Sequence, residues 1–552
     1  MEESVLQQHE DPLGEASQAN NTAEDGISAL GTLGLASCTS LDGYIAQSIT
    51  EEKRQELDMM LVDFICDEFL PVSVVESAKL QTLVNNLNSY YVLPSRKTVS
   101  TTLLPYAYEE KLKIVKSELL STKSVALTSD GWSNNTGTKF LTLSAHFIDE
   151  NFKLSSRLLE CTDISPDFSE ESIAQWFFKI LKKFGIESKV ELIVTANTTM
   201  GRVIDDYTNI KRLPCFATSL NFVMQESIAK TIKKTVDKVK RVVQHFKTNP
   251  KALQLLLQLQ SQENVKLKQD VSTQWNTTYD MLERFHQNKQ SLQSYFELFK
   301  PETTLRTDEW EVVEQAIDVL KAFHKATDFI SAERSVTISH VGVLRKMLLE
   351  HLAKFTDRDG VVAVVRTLIA ELQEGLTNSL EPFKQNCVVA QAMLLDPRIK
   401  KRGFRNELQE YQQAYEAIIS DLIAIQGTSV QAEKAARKKD TKSDNIYSEF
   451  LDWDDDEEDD DLNNPRQLAV HEFEMYLKER IIQTDENPLL WWKTQHLKYP
   501  TVYNLAVRIL NVPCSSIPCE RVFSKEGEEY LQKRARLLPQ QCEKIMFVQS
   551  NA

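Results

Sequence analysis

Two short apolar runs constrain this chain more than any other feature. Ser124-Val-Ala-Leu-Thr-Ser-Asp130-Gly-Trp-Ser133 carries a strand-like run that ends on a carboxylate. Val190-Glu-Leu-Ile-Val-Thr-Ala196-Asn197 is a second run of the same kind, and it ends on an alanine. Short apolar-leaning runs of this kind, bounded by turn formers, read as strands. Further strands are expected at Lys139–Ile148 and Leu154–Thr162, with turns at Asn134–Gly137 and Asp149–Asn151. The opening strand is expected at Val125–Thr128. A helix follows at Glu170–Phe184, where Ile173, Phe177, Ile180, Leu181 and Phe184 share one face. Then come the strand Val190–Thr195, a short helix near Met200–Tyr207, a fifth strand at Leu213–Ala217 and a long helix through Phe246. The order is βββαβαβα.

That order matches an RNase H-like sheet, in which the first and fourth strands lie side by side at the centre. Acids at their neighbouring ends, with a third from a later helix, would hold two divalent metals about 3.5–4 Å apart for phosphoryl transfer. Carboxylates are needed because Mg²⁺ is a hard cation that prefers anionic oxygen. Asp130 stands at the first strand end and Ala196 at the fourth. The fold class is therefore α/β, mostly helical overall, with the sheet domain interrupted by a large all-helical insertion.

Several ordered blocks carry a family resemblance. They are Thr128-Ser-Asp130-Gly-Trp-Ser133, Ile193-Val-Thr-Ala196-Asn-Thr-Thr-Met200, Pro214-Cys215-Phe-Ala-Thr218-Ser-Leu-Asn221, Ser272-Thr-Gln274-Trp275-Asn276 and Leu394-Leu-Asp396-Pro-Arg398. The end of the chain adds Trp491-Trp492, Tyr499-Pro500 and Pro513-Cys-Ser-Ser-Ile-Pro-Cys-Glu520-Arg-Val-Phe-Ser524. Together, over roughly residues 50–550, these resemble the hAT superfamily of DNA transposases, especially domesticated relatives of the BED-finger type. The resemblance places the first acid at Asp130, the second where this chain has Ala196, and the third at Glu520. The family's Cys-x-x-His pair falls on Cys215 and Thr218, and the arginine before the family tryptophan is Gln274. A zinc-binding BED finger is not expected in this sequence. With the second carboxylate replaced, the expectation is a catalytically inactive protein that uses no metal or other cofactor, Asp130 and Glu520 being vestigial.

Charge divides the chain. Residues 1–45 hold eight acids and no Lys or Arg, and the tract 452–461 holds nine acids around Trp453. Both read as disordered, and without them the net charge of −16 falls to near neutrality. Eight cysteines are scattered with no CxxC pair, which fits buried thiols in a reducing compartment rather than a structural zinc site. No long apolar segment suggests a membrane span. The expected organisation is an acidic tail (1–45), an N-terminal helical region (46–120), the first part of the sheet domain (121–275), the helical insertion (276–440), an acidic linker (441–466) and a dimerisation region that completes the core (467–552).

Two surfaces are candidates for partners. Lys230, Lys233, Lys234, Lys238, Lys240 and Arg241 lie off the apolar face of the helix ending at Phe246. They form either a solvated face or a phosphate-contacting one. Trp491, Trp492, Tyr499, Pro500, Leu505, Ile509, Arg521 and Phe523 are candidate dimerisation residues, through an apolar stripe at 502, 505, 506, 509 and 510. The resulting expectation is a nuclear homodimer acting as a binding or regulatory scaffold, with DNA or chromatin proteins as partners. The alternatives are a DNA-binding transcriptional regulator using the basic face, and a surviving metal-dependent nuclease.

Overall fold

The computed structural model describes residues 49–133, 138–164, 169–260, 265–271, 274–330, 335–356, 358–405, 407–440, 464–516 and 539–552. The acidic tail, the acidic tract and Glu520, Arg521 and Phe523 lie outside the described residues.

Five strands form one sheet: β1 (Val125–Ser133), β2 (Lys139–Ile148), β3 (Leu154–Ile164), β4 (Val190–Thr195) and β5 (Lys211–Pro214). Their spatial order is β3-β2-β1-β4-β5, with β1 antiparallel to β2 and parallel to β4. The first and fourth strands are neighbours at the centre, as an RNase H-like sheet requires. Residues 125–129 of β1 are all buried, which explains why the strand reads as a run rather than an alternation.

One face of the sheet is covered by α3 (Leu104–Ser121), α4 (Glu170–Phe184) and α5 (Thr198–Tyr207). Leu127, Leu143, Phe147 and Ile193 pack there against Phe177, Phe184, Met200 and Ile204. Local chemistry sets the ends of α4. Ser169 Oγ accepts the Ser172 N–H at 3.2 Å, and Gly185 turns the chain out at φ 64°. The opposite face contributes Ala126, Leu192, Val194 and Leu213 to a far larger helical core.

Several boundaries differ from the sequence pattern: β1 runs on past Thr128 to Ser133, and β3 past Thr162 to Ile164. The fifth strand stops at Pro214, because Cys215 caps the next helix, α6 (Phe216–Lys230). The long helix breaks at Thr231–Ile232, so α7 (Lys233–Thr248) is separate. Thr231 Oγ1 donates to the Ser227 carbonyl at 2.6 Å, a local bond that competes with helix continuation.

Beyond α7 the described chain is helical: α8 (Pro250–Leu259), α9 (Trp275–Gln287), α10 (Lys289–Phe299), α11 (Thr307–Ile330), α12 (Val341–Thr356), α13 (Ala363–Ser379), α14 (Cys387–Leu395) and α15 (Leu408–Asp440). The C-terminal segment then adds α16 (Pro465–Lys478), α17 (Pro488–Gln495), α18 (Pro500–Leu510) and α19 (Pro539–Ser550). Asn487 Oδ1 accepts the N–H groups of Leu489 and Leu490, and Pro488 fills the first turn.

This last segment returns to the sheet. The Asn551 amide donates to the Leu158 carbonyl (2.9 Å) and accepts the Leu158 N–H (3.1 Å), capping the β3 backbone. Asn511 Nδ2 donates to Ser124 Oγ at 3.1 Å, and Phe216 N–H donates to the Cys514 carbonyl at 2.9 Å. Ahead of the sheet, α1 (Glu51–Asp67) packs on α19, while α2 (Ala78–Leu87) contributes no buried side chain. Among the described residues, no helix is long and apolar enough to cross a membrane.

Candidate functional site

Ser129 registers with Thr195 across the parallel β1–β4 pair, so Asp130 and Ala196 stand one step beyond, at neighbouring strand ends. Asp130 Oδ1 accepts the Gly131 N–H at 2.8 Å, and Thr142 Oγ1 donates to the Asp130 carbonyl at 3.1 Å. Opposite lies a methyl group. The next residue, Asn197, is the N-cap of α5, and its Oδ1 accepts the Met200 N–H at 2.9 Å. Its amide oxygen caps the helix, and its NH₂ is turned toward Gly131. That orientation presents N–H donors where a cation would need an oxygen.

Among the described residues, the donors at these two strand ends do not by themselves fit a pair of divalent metals. One carboxylate, a methyl and an amide nitrogen supply neither the ligand count nor the negative charge. Among the described residues no group of three His, Cys, Asp or Glu side chains is placed to hold a metal ion. Asp205, further along α5, pairs with Arg212 at 2.8 Å.

Gly131 has a steric role here. A Cβ at this position would lie 2.6 Å from Asn197 Nδ2. Asn197 cannot swing away without giving up its cap, so Gly131→Ala is expected to cost about 1–3 kcal/mol. In an Asn197→Ala background the same change should cost clearly less, as a double-mutant cycle in urea would measure. Equal costs in both backgrounds would show that the two residues do not meet.

The family's Cys-x-x-His position has become a helix cap. Cys215 Sγ accepts from Thr218 N–H (3.4 Å), Thr218 Oγ1 (3.2 Å) and Ser516 N–H (3.2 Å). Two other sequence blocks meet each other, since the Trp275 N–H donates to Asn221 Oδ1 at 3.1 Å and the Trp275 side chain is buried. The Leu394–Arg398 block is a buried ion pair. Asp396 is fully enclosed, accepts Ser339 Oγ–H at 2.6 Å and faces Arg398 Nη2 at 2.7 Å.

Sequence reasoning missed a polar relay through the sheet. His146 Nε2 lies 2.8 Å from Thr128 Oγ1, and His146 Nδ1 lies 2.8 Å from Ser156 Oγ. Burial pushes the imidazole pKa down to about 3, so the ring is neutral at ordinary pH. Ser156 and Ser144 open onto a cleft of about 990 Å³ between β3, the end of α19 and the start of α17. The only sequence signal is polarity inside strand runs that otherwise read as apolar.

The proposed dimerisation residues separate by burial. Trp492, Tyr499, Leu505 and Ile509 are buried within the chain's own core, Trp491 is half-buried against it, and Pro500 is exposed. Trp492 Nε1 donates to the Leu395 carbonyl at 2.9 Å, and its ring centre lies 4.8 Å from that of Tyr476. The stripe on α18 is therefore filled from inside. Lys400, also missed, is buried beside this cluster. Its Nζ donates to the carbonyls of Tyr476 (2.7 Å) and Glu479 (2.9 Å) and lies 4.3 Å from the Tyr476 ring centre. It closes the C-terminal end of α16, where a cation suits the helix dipole, although burial pushes its pKa down to about 8. In the described part of residues 464–516, the exposed large apolar side chains are Leu468, Met475, Leu490 and Leu497.

The basic face is partly neutralised. Lys230 pairs with Glu226 and Glu371, Lys238 with Glu309, and Lys240 with Asp270. Lys233, Lys234 and Arg241 are exposed.

Comparison with known proteins agrees with this architecture. Residues 128–213 match the ZBED1 RNase-like domain, 213–319 the ZBED1 RNase-like helical domain, and 472–552 the hAT family C-terminal dimerisation region. Zinc finger BED domain-containing protein 4 of Homo sapiens is 24% identical over 548 residues, covering 93% of this chain and 45% of the relative. The putative AC transposase of Zea mays is 22% identical, over 90% of this chain and 64% of its own length. The putative transcriptional regulator tpeD of Talaromyces stipitatus is also 22% identical, over 88% and 61%. The chain thus spans about half to two-thirds of the length of these relatives. With the three modules in chain order on an RNase H-like sheet, this chain is a hAT-derived protein related to BED-type and AC transposases.

Proposed function

We propose that this protein no longer cuts DNA and acts as a self-associating nuclear scaffold or regulator. The observation that carries the first half is the β1–β4 strand end, where Asp130 faces Ala196 and Asn197 offers its NH₂. Self-association is supported by the match of residues 472–552 to a dimerisation region. Among the described residues of that stretch, Met475, Leu490 and Leu497 are the exposed large apolar side chains, while Trp492, Tyr499, Leu505 and Ile509 are enclosed. The nuclear setting is supported by relatives named as BED zinc-finger and transcriptional-regulator proteins.

The test is strand cleavage of duplex DNA in Mg²⁺ or Mn²⁺, comparing the parent with Ala196→Asp. No cleavage is expected from the parent. Metal-dependent nicking that vanishes on Asp130→Ala and Glu520→Ala would overturn the reading.

A second reading is favoured by the exposed cations Lys233, Lys234 and Arg241. A DNA-binding regulator using this face would show affinity falling with salt, and a shallower salt slope after their charge reversal.

A further inference from the structure

We propose that the outer edge of β3 is a docking site for a basic, extended peptide of a partner protein, which adds to the sheet as a sixth strand. This goes beyond the scaffold reading by giving the chemistry of a partner. It depends on neither the strand-end acids nor self-association.

β3 is an outer strand, paired on one side with β2. In an antiparallel ladder, alternate residues turn their N–H and C=O groups toward the partner strand or away from it. The Asp149 N–H donates to the Lys153 carbonyl at 2.9 Å, so Lys153, Ser155 and Arg157 address β2. Leu154, Ser156 and Leu158 therefore address the outside. The Leu158 groups show what this edge accepts. Asn551 offers them its side-chain amide as a neighbouring strand would offer a peptide group, donating to the carbonyl and accepting the N–H. Two residues back, the Ser156 carbonyl takes only an Arg157 guanidinium N–H at 3.1 Å. Among the described residues, the Ser156 N–H and both backbone groups of Leu154 are left without a partner. Ser156 is fixed in place by His146 Nδ1, 2.8 Å from its Oγ, so little ordering remains to be done on binding.

The edge has room beside it. Leu154, Ser156 and Leu158 line the cleft of about 990 Å³, with Asp485–Leu489 also on its wall. Strand addition draws affinity from main-chain hydrogen bonds and selectivity from alternate side chains.

Charge selects the occupant. Asp67 and Asp485 line the cleft as exposed carboxylates that form no ion pair among the described residues, and Glu486 stands beside them. Of the cations there, Arg157 is paired with Glu118 and Arg398 with Asp396, which leaves Lys153. A lysine- or arginine-bearing strand complements this lining, and an acidic one is repelled.

The test is fluorescence anisotropy of the full chain with a labelled peptide of alternating lysine and valine, at physiological salt. Binding is expected, together with slowed hydrogen exchange at residues 154–158. Backbone N-methylation of the peptide keeps its charge, removes its N–H donors and should weaken binding by about tenfold or more. Asp67→Lys/Asp485→Lys should weaken it by about fivefold, with the unfolding midpoint unchanged because both residues are exposed. The analogue with glutamate for lysine should not bind. A peptide held only by the acidic tract 452–461 would ignore both the N-methyl groups and the charge reversal, and that result overturns the proposal. So does an absence of binding, or protection that falls elsewhere than on β3. Protection of 154–158 without peptide that fades on dilution would assign the edge to a second copy, and overturns it too.

Discussion

Trp492→Ala is expected to lower stability by about 3–5 kcal/mol, the range for removing a large aromatic side chain from a packed core. Three losses combine. The indole is fully enclosed, its ring lies 4.8 Å from Tyr476 and 4.9 Å from Trp491, and its N–H satisfies the Leu395 carbonyl. Truncation leaves a cavity and an orphaned buried acceptor together. Urea unfolding followed by circular dichroism would measure the change. If Trp492 instead met a second copy, the midpoint of dilute protein would barely move and self-association would disappear. That outcome would return α17 and α18 to the interface.

Acid should destabilise the protein through His146, by an amount on the order of 4 kcal/mol across the full window. Burial holds the folded pKa near 3, against 6.5 for an exposed histidine. Above pH 6.5 both folded and unfolded chains carry the neutral ring, so its contribution to stability is fully present. As pH falls from 6.5 toward 3, the unfolded chain takes up a proton that the folded chain refuses, and stability drops with it. Carboxylates titrate over part of the same range, so the measurement is a comparison. His146→Gln keeps groups for Thr128 and Ser156 to bond but cannot titrate. Between pH 6.5 and 4 the parent should lose stability more steeply than this variant. Parallel curves would mean that the imidazole is protonated in the folded state.

The two cases show how burial redistributes function. The residues of the dimerisation region that look most like an interface hold the chain to itself. They pack α16, α17 and α18 against α14 and, through Asn511 and Cys514, against the sheet. Among the described residues, what this region leaves exposed is a few apolar positions with weak individual signals, such as Met475, Leu490 and Leu497.

Elements governed by local chemistry were legible in the sequence. β2, β4 and α4 have the ends that periodicity and capping residues predict, and the strand order follows from the sequence of elements. The contrast between Asp130 and Ala196 was legible too, because a parallel neighbour pair needs only the two strand ends to be named. The break at Thr231–Ile232 was not, since the apolar stripe continues through it.

Sequence alone determined that the first strand run delivers an acid, Asp130, where the fourth delivers Ala196. Tertiary structure decided what surrounds that acid: the Asn197 oxygen committed to α5 and the NH₂ set against Gly131. It also decided that the C-terminal stripe faces inward and that Lys400, a residue type usually found at the surface, is enclosed. The physical reason is that periodicity reports only that a face is apolar. Whether that face meets its own chain, another copy or a ligand depends on contacts between residues such as Trp492 and Leu395, which lie far apart in sequence.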